Sequence, residues 1–422
     1  MQIPDVPPQL LAALVEAAAG QRLALVGGVV RDLLLHRHHQ DPWRGLPDLD
    51  LVVEGQAADF VDRLPLALEQ RLDQAVPLRL QGYGRYGTFA LQLELPERLG
   101  GRWLLDVASA RQESYPECGE NPQVRPGTLE QDLARRDVTV NAMALELRSS
   151  DLSEDLTLLD PHGGVADLAQ RQLRFLHPAS LRDDPTRLVR AARYAARLGF
   201  QLSSPALQQA REVMDQWPWG WCYGNPPDQA PASLGTRLRM EMELMLQREA
   251  WRKGLAALQA WGGLALLDPA LQADGGWRCR LVWAERLGLP LLLALVLGAD
   301  NPEALARRLQ LPARQQTLLA QAMSLCQQLV TIERGEEPWP ERPSAWTHLL
   351  EQSGRPPQAV ALALAAGARP RRPLLHWWAV WRHVPPPHDA ASLLAQGWLP
   401  GKGLGEELRR QRAQVLDRTV HP

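Results

Sequence analysis

Asp48-Leu49-Asp50 opens an apolar run. In a strand, residues two apart project from one side, so both carboxylates would aim at a single spot. Two like charges that close are costly unless a cation lies between them. A hard, all-oxygen donor set suits Mg2+, which takes one or two carboxylates together with substrate phosphates. By itself such a pair is also an ordinary feature of a solvated strand end. Upstream, Gly27-Gly28-Val29-Val30-Arg31-Asp32 carries a strand into a helix through two glycines. Glycine lets a ligand approach the backbone, the first helical N–H groups can face a phosphate, and Arg31, one turn in, offers a fork for its oxygens. Asp106 lies within the apolar Trp103-Leu104-Leu105-Asp106-Val107. A carboxylate buried there needs a partner or goes neutral, and a metal is one such partner. Three carboxylates on neighbouring strands beside a Gly-Gly turn are the layout of two-metal nucleotidyl transfer, where one metal activates a 3′-hydroxyl and the other holds the triphosphate.

Positioning these groups requires a small mixed head. Leu23–Val26 and Leu49–Val53 read as strands, as do 89–95 and 103–107; from about residue 129 the pattern turns helical. Residues 184–198 place Leu188, Ala191, Ala195 and Leu198 at helical spacing. Beyond Glu249 the chain is rich in Leu, Ala, Gln and Arg, which favours helices. Prolines at 338–343, 370–373 and 385–387 mark joints, and the Trp217–Trp221 stretch reads as a loop insertion. The histidines His36, His38 and His39 read as a solvated loop.

The chain has 422 residues, 45% hydrophobic and 22% charged, which is ordinary globular composition for two to four domains. No apolar run is long enough to span a bilayer, and the first nine residues lack the features of a secretory leader. Cys118, Cys222, Cys279 and Cys326 are scattered, with no spacing that suggests structural zinc or a disulfide framework, so a reducing cytoplasm is expected. A net charge of −2 means that any nucleic-acid surface is a local patch.

Taken together, LVGGVVRDLLL, DLDLVV, RYGTF, LLDVASAR, QDLARRDVTVNAMAL, DPHGGVADL and LRFLHPASLRDDPTRLVRAARYAARLGF resemble the class II CCA-adding enzyme and bacterial poly(A) polymerase family. TRLRMEMELML and GWLPGKGLGEELR are fainter matches further on. The resemblance implies an α+β architecture: a polymerase-β-like nucleotidyltransferase head with a mixed sheet of about five strands, then an all-helical neck, body and tail. The implied divisions are 1–148 for the catalytic head, 149–255 for a neck that reads the base, 256–336 for the body and 337–422 for a tRNA-binding tail. The family's metal aspartates fall on Asp48 and Asp50, with Asp106 as the third acid. Its nucleotide-binding residues fall on Gly27, Gly28 and Arg31, on Arg135, Arg136 and Asp137, and on Asn141. Its base-reading motif falls on Asp183 to Arg187, and Arg190 and Arg193 match further nucleotide contacts.

Placed on one helix, Asp184 and Arg187 are neighbours three residues apart. A carboxylate accepts from the exocyclic amine that C and A share, and a guanidinium donates to the adjacent ring nitrogen or carbonyl; U and G present the wrong order. The implied activity is addition of C and A to tRNA 3′ ends from CTP and ATP with Mg2+, with no membrane partner. Within the family the alternative is a poly(A) polymerase; outside it, a catalytically inactive RNA binder or a small-molecule nucleotidyltransferase. Two departures are Asp183 in place of the family's Glu and Val138 in place of its Phe. The segment 111–130 is expected to be a loop with stiff and mobile points, and its Glu113, Glu117, Glu120 and Arg125 show no compact acid–base pair. Complete CCA addition and CC-only addition are both compatible with that loop, whose SYPECGENPQV stretch leans towards the CC-adding subgroup.

Overall fold

The computed structural model describes residues 3–43, 45, 48–83, 87–148 and 156–418, with the backbone alone at 81–83 and 353. Arg85 and Tyr86 of the RYGTF segment lie outside the described residues. The chain runs α1 (Pro8–Ala18), β1 (Leu23–Val26), α2 (Gly28–His39), β2 (Leu49–Val53), α3 (Ala57–Leu72), β3 (Leu78–Tyr83), β4 (Thr88–Glu94) and β5 (Arg102–Ser109). A hairpin of β6 (Arg111–Ser114) and β7 (Gln123–Pro126) follows, then α4 (Leu129–Ala134), β8 (Ala144–Leu147) and β9 (Thr157–Leu159). The main sheet has the order β3-β4-β5-β2-β1-β8-β9. Only the β2–β5 pairing in it is parallel. About five strands were expected and seven are present. The additional ones are the edge strands β3 and β9, whose residues are exposed or half-buried wherever their side chains are described. An edge strand with one covered face carries little apolar signal.

β1 and most of β2 are buried because both faces of the sheet are covered. Ala24, Val26, Val52 and Ala144 form a small-residue face that packs against Leu129 and Leu133 of α4. The opposite parity, Leu23, Leu25, Leu49 and Leu51, is fully or almost fully buried. Helix α3 packs beside α1 and against β2, β4 and β5. Its Phe60, Val61, Leu64, Ala67 and Leu68 recur at helical spacing and are all buried. Asp50 shares the parity of Val52 and therefore lies on the small-residue face.

Beyond the sheet come α5 (Gly164–Ala169), α6 (Ser180–Asp183), α7 (Thr186–Leu198), α8 (Ser204–Gln216), α9 (Thr236–Arg248) and α10 (Trp251–Ala260). The single helix expected over 184–198 is corrected here: it starts at Thr186. Proline disfavours the helical conformation in the residue before it, and Asp184 is extended at φ −148°, ψ 98°. The three histidines are also corrected, since they occupy the last turn of α2. The Trp217–Trp221 stretch is the expected loop, between α8 and α9.

Two compact units result. One comprises Met1–Cys222, Pro231–Ser233 and Gln247–Gly263; the other comprises Tyr223–Ala230, Leu234–Leu246 and Leu264–Pro422. The second is helical, its core including Leu325, Leu329, Trp346, Leu350, Val360 and Trp377. Among the described residues no helix is long and apolar enough to cross a membrane.

Leu25, at 0% exposure in β1 between β2 and β8, is expected to contribute substantially to this scaffold. Leu25→Ala should destabilise the first unit by about 2–5 kcal/mol, measured by urea denaturation; a loss well under 1 kcal/mol would contradict this packing.

Candidate active site

The parallel register pairs Asp50 with Asp106, and Asp48 lies two residues before Asp50. Each of the three offers a carboxylate oxygen, and these oxygens all lie within 4.8 Å of one another. Asp106 is exposed, which corrects the expectation of a buried acid. β5 alternates, with Trp103, Leu105 and Val107 buried and Arg102, Leu104 and Asp106 outward. The run looks continuously apolar only because Leu104 faces outward at 41% exposure. Burial, and then the Asp48 charge beside it, push the Asp50 carboxyl up to about 6; Arg136 opposes that rise and Asp106 adds to it. Asp106 is also raised, first by the partial desolvation of its carboxyl at the cluster and then by Asp48. Oxygen donors that repel one another and resist ionisation fit a hard divalent cation.

Gly27 stands between this cluster and Arg136. It adopts φ +73°, where an L side chain is strained. A Cβ there would meet Arg136 Nη1 at 3.1 Å and Asp50 Oδ2 at 3.6 Å. The guanidinium of Arg136 donates to Asp132 at 3.0 Å, while its Nε is buried without a partner. Arg31 is buried, and its fork donates to both Asp32 oxygens at 2.8 and 3.0 Å and to Asn141 Oδ1 at 2.7 Å. Asp137 accepts from Val138 N–H at 2.8 Å, Arg190 Nε at 2.7 Å and the Tyr194 hydroxyl at 2.7 Å. Burial alone would raise its carboxyl, but the Arg190 charge and these hydrogen bonds hold it well below the usual range. Asp132 behaves alike: burial is outweighed by Arg136 and Arg135. Asp132 and Tyr194 were not singled out in the sequence. Their spacing was the available signal, since Asp132 precedes Arg136 by four and Tyr194 follows Arg190 by four.

Asp184 does not share a helix face with Arg187. Its carboxylate accepts from Thr186 N–H at 3.0 Å and from the Thr186 hydroxyl at 2.6 Å, at the start of α7. Arg187 donates to the carbonyls of Ser180 at 3.3 Å and Arg135 at 2.9 Å, which ties α7 to the residues after α4. The Tyr115 ring lies 5.7 Å from the Arg187 guanidinium. Gln112, Tyr115, Gln131, Arg135, Asp183 and Arg187 help line a cavity of about 320 Å³, within the size range of small-ligand sites. Arg193 is directed elsewhere, to Glu249 at 3.6 Å, and Arg197 joins it there.

The 111–130 loop is also corrected. It contains the β6–β7 hairpin, with Gln112 opposite Arg125, and Thr128 with Gln131 forms a capping box at α4. Its acid–base pairing uses the flanking arginines: Glu113 lies 2.9 Å from Arg111 and 3.4 Å from Arg135. Val138 is buried and bridges to Phe175.

A mixed sheet that gathers three acids opposite a glycine turn and an arginine-rich helix end defines a nucleotidyltransferase head. The model of the Poly A polymerase head domain matches residues 23–174. A CC-adding tRNA nucleotidyltransferase of Deinococcus radiodurans is 36% identical over 315 residues, covering 73% of this chain and 72% of that one. A CCA-adding enzyme of Bordetella pertussis is 32% identical over 304 residues, covering 70% of each. Among solved structures, the apo form II of a CCA-adding enzyme shares the fold with a TM-score of 0.71 at 23% identity, over 100% of this chain and 97% of that one. The chain belongs to the class II tRNA nucleotidyltransferase and bacterial poly(A) polymerase family.

Because the Asp50 carboxyl is raised, the folded state holds its proton more tightly than the unfolded chain does. Metal-free stability should therefore fall as pH rises from the ordinary value of 3.8 to about 6. Above that range the ionised group costs up to about 3 kcal/mol. Asp50→Asn should thus raise the melting temperature of metal-free protein at pH 8, while it and Asp48→Ala lower nucleotide incorporation by at least about 10²-fold. An unchanged or lower melting temperature in Asp50→Asn, or activity above a tenth of the wild type by this estimate, would count against the assignment.

Proposed function

We propose that the chain transfers C and A nucleotides from CTP and ATP to the 3′ end of tRNA, with Mg2+ held by Asp48 and Asp50. The convergence of Asp48, Asp50 and Asp106 within 4.8 Å, beside Gly27 and Arg136, carries this reading. When bound, the metal lowers the pKa of the attacking hydroxyl and neutralises charge on the triphosphate and the leaving pyrophosphate. The RNA 3′-oxygen bonds to the α-phosphorus as the bond to the pyrophosphate oxygen breaks, and no covalent enzyme intermediate forms. Arg136, whose Nη1 lies against Gly27 and whose buried Nε has no hydrogen-bond partner, orients the triphosphate. Arg31 and Asn141, already joined, hold the ribose side, and Asp137 fixes Arg190 and Tyr194 beneath them. Asp184 and Arg187 read the base, Arg187 from the wall of the cavity. In this reading residues 149–255 act as the neck, while 256–336 and 337–422 grip tRNA through phosphates and shape. That the four cysteines form no disulfide accords with work in the cytoplasm.

A second reading, in which addition stops at CC, is favoured by the Deinococcus likeness and by the hairpin, whose Glu113 is tied to Arg111 and Arg135 rather than left to swing. Purified protein given tRNAs ending in the discriminator base, in C and in CC, with each NTP alone, separates the readings. Extension of the CC form by one A supports the complete reaction; C addition without it supports the CC-only form. Runs of A on any RNA would point to a poly(A) polymerase, and no incorporation to an inactive relative. Arg187→Ala should lower the preference for CTP over UTP by about ten- to hundredfold, the scale of one lost buried hydrogen-bonding group; an unchanged ratio would remove Arg187 from base reading.

A further inference from the structure

The tip of the β6–β7 hairpin is fastened to α6 by contacts that the nucleotide chemistry does not use. The Gly119 N–H donates to the Asp183 carbonyl at 3.1 Å, and the Ser233 N–H donates to the Gly119 carbonyl at 3.2 Å. Next to it, Arg182 Nε donates to Cys118 Sγ at 3.1 Å. The Trp219 indole, 4% exposed, donates to the Arg182 carbonyl at 3.0 Å and meets the Trp217 ring edge-to-face at 4.9 Å. Gly119 sits at φ +79°, and a Cβ there would meet Ser233 Oγ at 2.8 Å and Trp219 Cδ1 at 2.9 Å. Only glycine fits this backbone conformation and this space together.

The fastening reaches two elements that bound the cavity. At the stem of the hairpin, Glu113 binds Arg135 and accepts from the Tyr115 hydroxyl at 3.0 Å. At its tip, the Asp183 carbonyl that Gly119 engages belongs to the residue immediately before Asp184. Tyr115, between stem and tip, faces Arg187. The 217–221 loop and Ser233 thus pack the hairpin tip against α6, beside the cavity that Tyr115, Asp183 and Arg187 help line.

We propose that Gly119, Trp219 and Ser233 form a latch that sets nucleotide choice by fixing the distance between Tyr115 and the Asp183–Arg187 segment. The latch residues are positioning residues, and the proposal rests on the reading of Arg187 as part of the base site. With the latch closed, the pocket keeps one shape and rejects bases that would need a different one. With it open, Tyr115 and Arg187 separate and discrimination falls, while the acids and Arg136 still bind and turn over the triphosphate.

The test compares full-length wild type with Gly119→Ala, which both strains and crowds the tip, and with Trp219→Phe, which keeps the ring but loses the indole bond. Single-nucleotide incorporation is measured with each NTP on tRNAs ending in the discriminator base and in CC, alongside hydrogen exchange at Gly119. Both variants should expose the Gly119 amide to exchange. They should lower the ratio of kcat/KM for the preferred to the rejected nucleotides roughly tenfold, while kcat for the preferred one changes little, since displacement of about 1 Å at a positioned group has effects of at least this size. Arg187→Ala serves as the reference. If it changes selectivity but both latch variants exchange at Gly119 without changing it, the latch proposal is overturned and the base site stands. If Arg187→Ala leaves selectivity unchanged, the base-site reading fails. Should Gly119→Ala fail to fold, Trp219→Phe carries the same comparison.

Discussion

Three carboxylates gathered within 4.8 Å repel one another, and the sheet holds them there through backbone register alone. None of the hydrogen bonds that order the rest of the site compensates that repulsion. The cost falls on Asp50, whose carboxyl is pushed to about 6 by burial and by its neighbour. The scaffold therefore has to be rigid where the acids are attached. Both central strands are buried, and the small residues Ala24, Val52 and Ala144 let α4 approach the same face closely. That approach brings the end of α4, with Arg136, to the acids.

Among the described residues, the arginines that order this site are held by carboxylates or carbonyls of the chain itself. Arg31 rests on Asp32 and Asn141, Arg136 on Asp132, Arg190 on Asp137, and Arg187 on two backbone oxygens. Donors fixed before the ligand arrives cost no reorganisation when charge develops. Arg193 shows the limit of reading a helix by sequence spacing. It lies three residues from Arg190, yet with Arg197 it belongs to an adjacent stripe that faces Glu249.

The central strands were legible because they carry apolar runs, broken in β2 only by Asp50: β1 and β2 have the bounds that the sequence suggests, and the three acids meet as their spacing implies. What was missed depends on context beyond a few residues. The exposure of Asp106 follows from β4 and β5 sharing one covered face. The start of α7 was legible in Pro185, whose effect on Asp184 outweighs the helical periodicity that follows. The hairpin was hidden because SYPECGENP carries turn residues in excess and its stem is polar, with Glu113 of β6 bound to Arg111 beside it and to Arg135 beyond the hairpin. Asp132 and Tyr194 lie within quoted segments but were given no role, and their partners Arg136 and Asp137 give them one.

The single parallel pairing in the sheet also bears on how the enzyme comes into being. β2 and β5 are neighbours in space, but α3 and the β3–β4 ribbon must be made and folded between them before Asp50 meets Asp106. β1, in turn, gains its second partner only when β8 emerges. Non-local pairings of this kind close slowly, because chain entropy is lost before contacts repay it. On the ribosome, a nascent chain that has reached β2 displays two acids with no third, and no arginine helix to receive a triphosphate. The gathering of the three acids is thus a property of the finished sheet, reached only once the chain as far as β9 is free of the exit tunnel.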